Sequence, residues 1–401
     1  MTYPYLQTIQ DMEKLFYSRA GNALLGSTDL ISPFISKIDA PVTSGTTGVY
    51  NAVYGAQAWV NLNMEANTFG VIPKVPWDRS GWRLITARGQ TQGEGGVSET
   101  AALPDSVKPT FAEVTTLPKT SAVVFENSEK QEFLATDGGD DAYANMAELR
   151  TYYAVQHKEE INYQMNVQNG TLASNNFESI DRVTGSYAEL NNCTESDEST
   201  GYTANDLDIY GLDRDGGATT AADAYVSHNS SVVRTLTDSM LQTLMQNTLT
   251  NGASADGQFF QTGYDTWSAI NQLYDAQVRY NVIGAATIQP GVNGIKTLEG
   301  RGVGTTVATV FNKPLIVSKD TVADTGGVSR IYLLDTSNPE GFDNPRLHVA
   351  VAKPTQYFED GMNKGTPFAV DKFTSKGLYR TMAELRCTFL GAQGKIRDIK
   401  S

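Results

Sequence analysis

Three histidines, two cysteines and a few glycine and aspartate clusters are the places where this 401-residue chain could hold chemistry. His157 is followed by Lys158, Glu159 and Glu160, so the second histidine of a zinc-binding HExxH helix is missing. His228 and His348 have no second ligand at motif spacing. All three read as packed or surface histidines. Cys193 and Cys387 make neither a disulfide framework nor a zinc-ligand pair, and no G-x-S-x-G elbow occurs. Gly300, Gly302 and Gly304 resemble a phosphate loop. Thr305 and Thr306 follow, however, where a Walker motif needs Lys and then Ser or Thr. Val307 and Ala308 likewise break the dinucleotide pattern. Asp206, Asp208, Asp213 and Asp215 before Gly216 lack the ligand spacing of an EF-hand. The expectation is a chain with no catalytic residue, cofactor or metal site, which is not an enzyme and works through its surfaces.

The elements that would carry such surfaces can be read in order. Residues 1–47 are irregular, with a short helix around Asp11–Arg19. Val49, Val53, Ala56, Val60 and Met64 form a helical stripe. Trp82–Arg88 reads as a strand and Pro109–Thr120 as a second that returns from a long Gly-rich, acidic loop. About twenty polar residues between two strands is far beyond an ordinary hairpin turn, so the loop is either disordered or ordered by a neighbour. Ser121–Glu126 is a third strand. From Tyr143 to Gln168 there is neither Pro nor Gly, and Met146, Leu149, Tyr153, His157, Ile161 and Met165 recur at helical steps. This predicts one helix of about 39 Å, stopped by Asn169–Gly170. Val233, Leu236, Met240 and Leu244 mark another helix, and Tyr264, Trp267, Ile270, Tyr274 and Val278 a third. Strands are expected at Val282–Ile288, Val303–Phe311, Leu315–Ser318, Ile331–Asp335 and Leu347–Ala352. A long half-buried strand then alternates through Tyr379–Phe389.

Length gives a prior of two or three domains. Lys and Arg number 31 against 45 Asp and Glu, a net −14. A protein that grips nucleic acid neutralises phosphates with basic side chains, so that is not this chain's main task, though enclosing nucleic acid remains compatible. No run of about 18 apolar residues suggests a membrane span, and the N-terminus lacks an apolar signal core, which predicts that the chain stays inside the cell that makes it. Residues 185–226 hold nine acids against one arginine. They read as a solvated loop or surface insertion. Lys372–Ser401 holds seven basic and two acidic residues. Opposite signs on separate parts of one chain suit contacts between copies; two independently solvated faces are the other reading.

The stretch GWRLITARGQTQGEGGVSETAALPDSVKPTFAEVTTLPKTSAVVFENSEKQEFLA, followed by the long helix, resembles the major capsid proteins of tailed double-stranded DNA viruses. The ending TMAELRCTFLGAQGKIRDI is similar to that family's final peripheral strand. The resemblance implies an α+β capsid fold with an N-terminal arm at 1–75 and an extended loop at 76–120 that lies over the adjacent subunit. It implies a peripheral domain with the spine helix at 121–170 and 371–401, and an axial domain at 171–370 that contains the acidic insertion 185–226. Trp82, Arg83, Arg88, Glu94, Glu99, Arg380 and Arg386 are the implied inter-subunit contacts. The implied partners are further copies of the chain in hexamers and pentamers, a portal protein, a separate scaffolding protein or protease, and a decoration protein. DNA would be enclosed without sequence-specific binding, in a virion assembled in the host cytoplasm. An encapsulin-type compartment shell, which shares the fold, and an acidic surface or adhesin protein are the alternatives.

Overall fold

The computed structural model describes residues 66–87, 99–100, 108–136, 145–167, 175–194, 207–214, 223–275, 309–321, 328–339 and 344–400. In chain order the elements are α1 (Asn67–Val71), β1 (Lys74–Pro76), β2 (Gly81–Ala87), β3 (Thr110–Thr115), β4 (Lys119–Ser128), α2 (Glu129–Thr136), α3 (Met146–Val167), α4 (Ile180–Val183), α5 (Tyr187–Asn192) and β5 (Tyr225–Ser227). They continue with α6 (Asp238–Thr250), β6 (Gln258–Thr262), α7 (Tyr264–Asp275), β7 (Thr309–Val310), β8 (Lys313–Val317), β9 (Val328–Asp335), β10 (Leu347–Gly361), α8 (Pro367–Val370), β11 (Thr374–Cys387) and β12 (Gly394–Lys400). The expected segments at 11–19, 49–64, 169–170 and Val282–Ile288 lie outside the described residues. No described helix is long and apolar enough to cross a membrane.

Three sheets result. A four-stranded sheet runs β1-β10-β11-β4, a six-stranded sheet runs β5-β12-β9-β6-β8-β7, and β2 and β3 form a two-stranded ribbon. The architecture is α+β, as expected.

The spine helix α3 lies on one face of the four-stranded sheet. Its buried residues include Met146, Leu149, His157, Ile161 and Met165, as the periodicity predicts. The helix begins three residues later than the pattern suggests because Asn145 caps it. The Glu148 N–H donates to Asn145 Oδ1 at 2.8 Å and the Asn145 N–H to Glu148 Oε2 at 3.2 Å, a reciprocal capping box. Beneath it Phe125 of β4 stacks on Tyr153 with ring centroids 4.7 Å apart, and Tyr357 and Tyr379 complete an aromatic cluster. Gly377 makes room for it, since a Cβ there would lie 2.5 Å from the Phe125 ring.

β10 is longer than the sequence suggests, at 15 residues or about 50 Å. Pro354 ends the expected strand at Ala352, but the register shifts on either side of Lys353, between Val351 and Gln356, absorb it in a bulge. The first half of β10 and the last third of β11 are buried; the remainder runs outward as a half-exposed tongue.

The six-stranded sheet is covered on both faces. In β9, Ile331 and Leu333 enter a core with Leu241 and Leu244 of α6 and Ile270 of α7. Tyr332 and Leu334 enter the opposite core with Ile161 and Met165 of α3 and Leu385 of β11. That second core joins the two sheets. Helix α6 starts after Thr237, so Val233 and Leu236 of its expected stripe precede it.

The sheets do not divide the chain where the sequence suggested. β10 was expected in the axial segment 171–370 but pairs with β11 in the sheet under the spine helix. β12 was expected to be peripheral with the rest of 371–401. It runs instead inside the six-stranded sheet, parallel to β5 and antiparallel to β9. The short 3-10 turn at Leu390–Ala392 carries the chain from one sheet to the other.

Among the described residues, part of the charge asymmetry is met within one chain. Glu189 of the acidic stretch meets Lys395 at 2.7 Å and Arg397 at 2.8 Å, both from the basic tail. Asp181 meets Arg330 at 2.7 Å and Lys395 at 3.1 Å. All five side chains are fully or almost fully buried. The described parts of 185–226 are therefore no solvated insertion. Leu207, Ile209, Tyr210 and Leu212 are buried too, and Tyr210 accepts the Thr115 N–H from the ribbon on its carbonyl at 3.0 Å.

Candidate assembly surfaces

The ribbon has two unlike faces because its register pairs like with like. On the inner face Trp82 is opposite Val114 and Leu84 opposite Ala112, and these pack on the core shared by the two sheets. On the outer face Ile85 is opposite Phe111 and Arg83 opposite Glu113. Ile85 and Phe111 are 59% and 57% exposed. Gly81 starts the ribbon where only glycine fits, as a Cβ would come within 2.5 Å of the Val114 carbonyl oxygen.

The four-stranded sheet shows a matching pattern on the face away from α3. Phe358 of β10, Leu378 of β11 and Val124 of β4 are in register across three strands. Phe358 and Val124 are exposed and Leu378 is half-buried. One step along, Gln356, Arg380 and Ala122 are aligned; one step the other way, Asp360, Lys376 and Glu126. An apolar bar thus lies between two polar rows, at the spacing of alternate residues on a strand, about 6.6 Å. Arg380 is half-buried, with its guanidinium carbon 5.1 Å from the Phe358 ring centroid and Nη2 donating to Gln356 Oε1 at 3.1 Å. Farther out, Phe368 and Phe373 on the link between β10 and β11 are 93% and 79% exposed.

Of the residues expected to make contacts between copies, Trp82 is half-buried at the ribbon root, Arg83 is exposed on the outer face and Glu99 is exposed. Arg88 and Glu94 lie outside the described residues. Arg380 belongs to the sheet face just described. Arg386 differs from the others, being buried under Trp77 and Trp82 of its own chain. The sequence reading missed Ile85, Phe111, Val124, Leu378 and Phe358. Their signal was present as apolar residues on the second face of strands whose first face already feeds a core, but only the register shows that they line up.

Among the described residues no group of acids, histidines and cysteines is arranged to hold a metal ion. His157 is buried against Thr381 Oγ1 at 2.7 Å, and burial lowers its pKa to about 4. His348 Nδ1 lies 2.7 Å from the Pro345 carbonyl oxygen, and Cys387 is pushed up to about 12 by burial.

No protein-family model matches the chain, and no curated protein matches it in sequence. Solved structures do match in shape. The capsid asymmetric unit of cyanophage A-1(L) superposes with a TM-score of 0.60 at 13% identity, covering 88% of this chain and 97% of that one. The capsid of the native GTA particle superposes with a TM-score of 0.52 at 13% identity, covering 94% and 99%. The empty GTA particle gives 0.52 at 12%, covering 94% and 100%. The chain has the fold of these capsid subunits, the tailed-phage major capsid protein fold, over nearly its whole length.

Proposed function

We propose that this chain is a major capsid protein whose copies assemble as hexamers and pentamers into an icosahedral shell around viral double-stranded DNA. The observation that carries this reading is the ribbon's outer face. A two-stranded ribbon is marginal by itself in water, and this one presents a cross-strand Ile85–Phe111 pair to solvent. The face away from α3 offers an apolar bar with a row bearing Arg380 on one side and a row of Asp360, Lys376 and Glu126 on the other. Laid over that face on a neighbouring copy, Ile85 and Phe111 meet Phe358, Leu378 and Val124, and the Arg83–Glu113 row falls beside a row of opposite and like charges that fixes register. Arg88, Glu94 and Glu99 would extend the same contact.

Interfaces of obligate assemblies commonly exceed 2,000 Å². At about 25 cal/mol per Å² of apolar surface, a fraction of that outweighs the few kcal/mol by which one subunit is stable. A chain with net charge −14 encloses DNA without gripping it, so packaged DNA can slide. The shell would be built in the host cytoplasm and retained in the virion. A portal protein, a scaffolding protein or protease and a decoration protein would accompany it.

Electron microscopy of the purified protein tests the reading. Wild-type chain should give closed shells, and Ile85→Ser with Phe111→Ser should give folded, soluble subunits and no shells. Unaltered shells from the double variant would remove the ribbon from the interface. A wild-type chain that remains monomeric under all assembly conditions would overturn the capsid reading itself.

A further inference from the structure

Arg386 was expected between copies, yet it is only 6% exposed. Its guanidinium carbon is 3.6 Å from the Trp77 ring centroid and 5.8 Å from that of Trp82. Its Nη2 donates to the Arg79 carbonyl at 2.6 Å. One side chain on β11 therefore touches both ends and the middle of the link between β1 and β2. That link has little else to hold it, since Asp78, Arg79 and Ser80 are exposed. Among the described residues, backbone bonds fix only its ends, from the Trp77 N–H to the Val351 carbonyl at 2.9 Å and from the Thr116 N–H to the Ser80 carbonyl at 2.9 Å.

The far side of the clamp is closed as well. Trp82 packs edge-on against Tyr210 at 5.3 Å. The Tyr210 hydroxyl donates to the Leu385 carbonyl at 2.8 Å and accepts the Cys387 N–H at 3.1 Å. These are the two neighbours of Arg386 on β11. The contacts form a ring: from β11 through Tyr210 to Trp82, across to the guanidinium, and back to β11.

We propose that Arg386 is the positioning residue of assembly: by clamping Trp77 and Trp82 it sets the angle at which the β2–β3 ribbon leaves the body, and so the curvature between neighbouring copies. The consequence for curvature rests on the capsid reading; the clamp does not. A flat guanidinium can stack on an indole while its edge donates to a carbonyl. A lysine ammonium keeps the charge but is a compact point donor without a planar face. Arg386→Lys thus separates charge from geometry.

The test compares wild type, Arg386→Lys and Trp77→Phe in the full chain, by amide hydrogen exchange and by the diameter distribution of particles in electron micrographs. Two stacked contacts are worth enough to change ribbon opening about tenfold. Arg386→Lys should therefore speed exchange in β2 and β3 by about that factor, leave β9 and β12 unchanged, and broaden the particle diameters. Trp77→Phe keeps a ring face and should show a smaller shift in the same direction. Unchanged ribbon exchange in Arg386→Lys would overturn the clamp. Equal acceleration in β9 and β12 would also overturn it, because Arg386 would then be an ordinary core residue. A loosened ribbon with diameters as narrow as wild type would overturn the link to curvature. If wild type itself formed no closed shell while its ribbon still loosened in Arg386→Lys, the capsid reading would fail and the clamp would stand.

Discussion

His157 on the spine helix and Glu384 on β11 are buried with no ion pair among the described residues; in the six-stranded sheet and the turns packed on it, Asp181 and Glu189 lie among Arg330, Lys395 and Arg397. The pKa values follow from that contrast. Burial lowers His157 to about 4. Burial, with Glu178 adding repulsion, raises Glu384 to about 8 while its Oε1 accepts the N–H groups of Glu178 and Leu385 at 2.7 and 3.0 Å. Burial opposes ionisation of Asp181 as well, but Arg330 and Lys395 outweigh it and hold the carboxyl well below the usual range. His157 and Glu384 avoid the cost of buried charge by shifting toward their neutral forms, whereas the Asp181–Glu189 cluster offsets it with partners. That cluster works only when complete, because removing one partner leaves another charge buried and uncompensated.

The largest effect that would break this comparison belongs to the charged cluster. Asp181→Ala should destabilise the subunit by about 3–5 kcal/mol, read by urea unfolding; a loss below about 1 kcal/mol would mean that the cluster is hydrated and not buried. Next comes packing under the helix. Gly377→Ala drives a methyl into the Phe125 ring and should cost about 1–3 kcal/mol, with the near-ultraviolet circular dichroism of the aromatic cluster reduced.

The pH profile sharpens the contrast further. The unfolded chain protonates His157 first, so stability should fall as pH drops from about 6.5 toward 4. Folded Glu384 holds its proton longer than the unfolded chain does, so stability should also fall as pH rises from about 4.5 toward 8. His157→Gln should flatten the first limb and Glu384→Gln the second. The folded carboxyl of Asp181 is depressed, so its contribution is lost only below about pH 4, as the acid is protonated. Melting temperatures across pH 3–9 check all three; one limb unchanged by its variant would remove that residue from the account. The smallest effect on the subunit is at the outer face. Phe358→Ser should change stability by no more than about 0.5 kcal/mol while reducing the yield of closed particles in micrographs.

Local patterns were legible where one element carries the whole signal. The stripe from Met146 to Met165 gave the buried side of α3, and the strands at 82–88 and 121–126 sit within a residue or two of β2 and β4. Long-range choices were not legible. Nothing local in Gly394–Lys400 tells which sheet it joins, because the partners that decide it, Ile331 and Leu333, are some sixty residues away. Composition misled at 185–226, where nine acids hid the buried residues Leu207, Ile209 and Leu212 and the ion-pair role of Glu189. Arg386 looked like a contact between copies because an arginine in a half-buried strand shows its charge but not the two indoles above it. The apolar bar was hidden for the same reason, since Val124, Leu378 and Phe358 meet only across three strands.

The position of β12 has a consequence for synthesis. A ribosome releases the strands at 225–227, 258–262, 313–317 and 328–335 long before residues 394–400, yet the latter fill an interior place in their sheet. Until β12 emerges, the slot between the first of these strands and β9 stands empty and Asp181 and Glu189 face it without Lys395 and Arg397. A product cut short before β12 leaves that slot open and those two carboxylates without their basic partners, a difference that proteolysis can read.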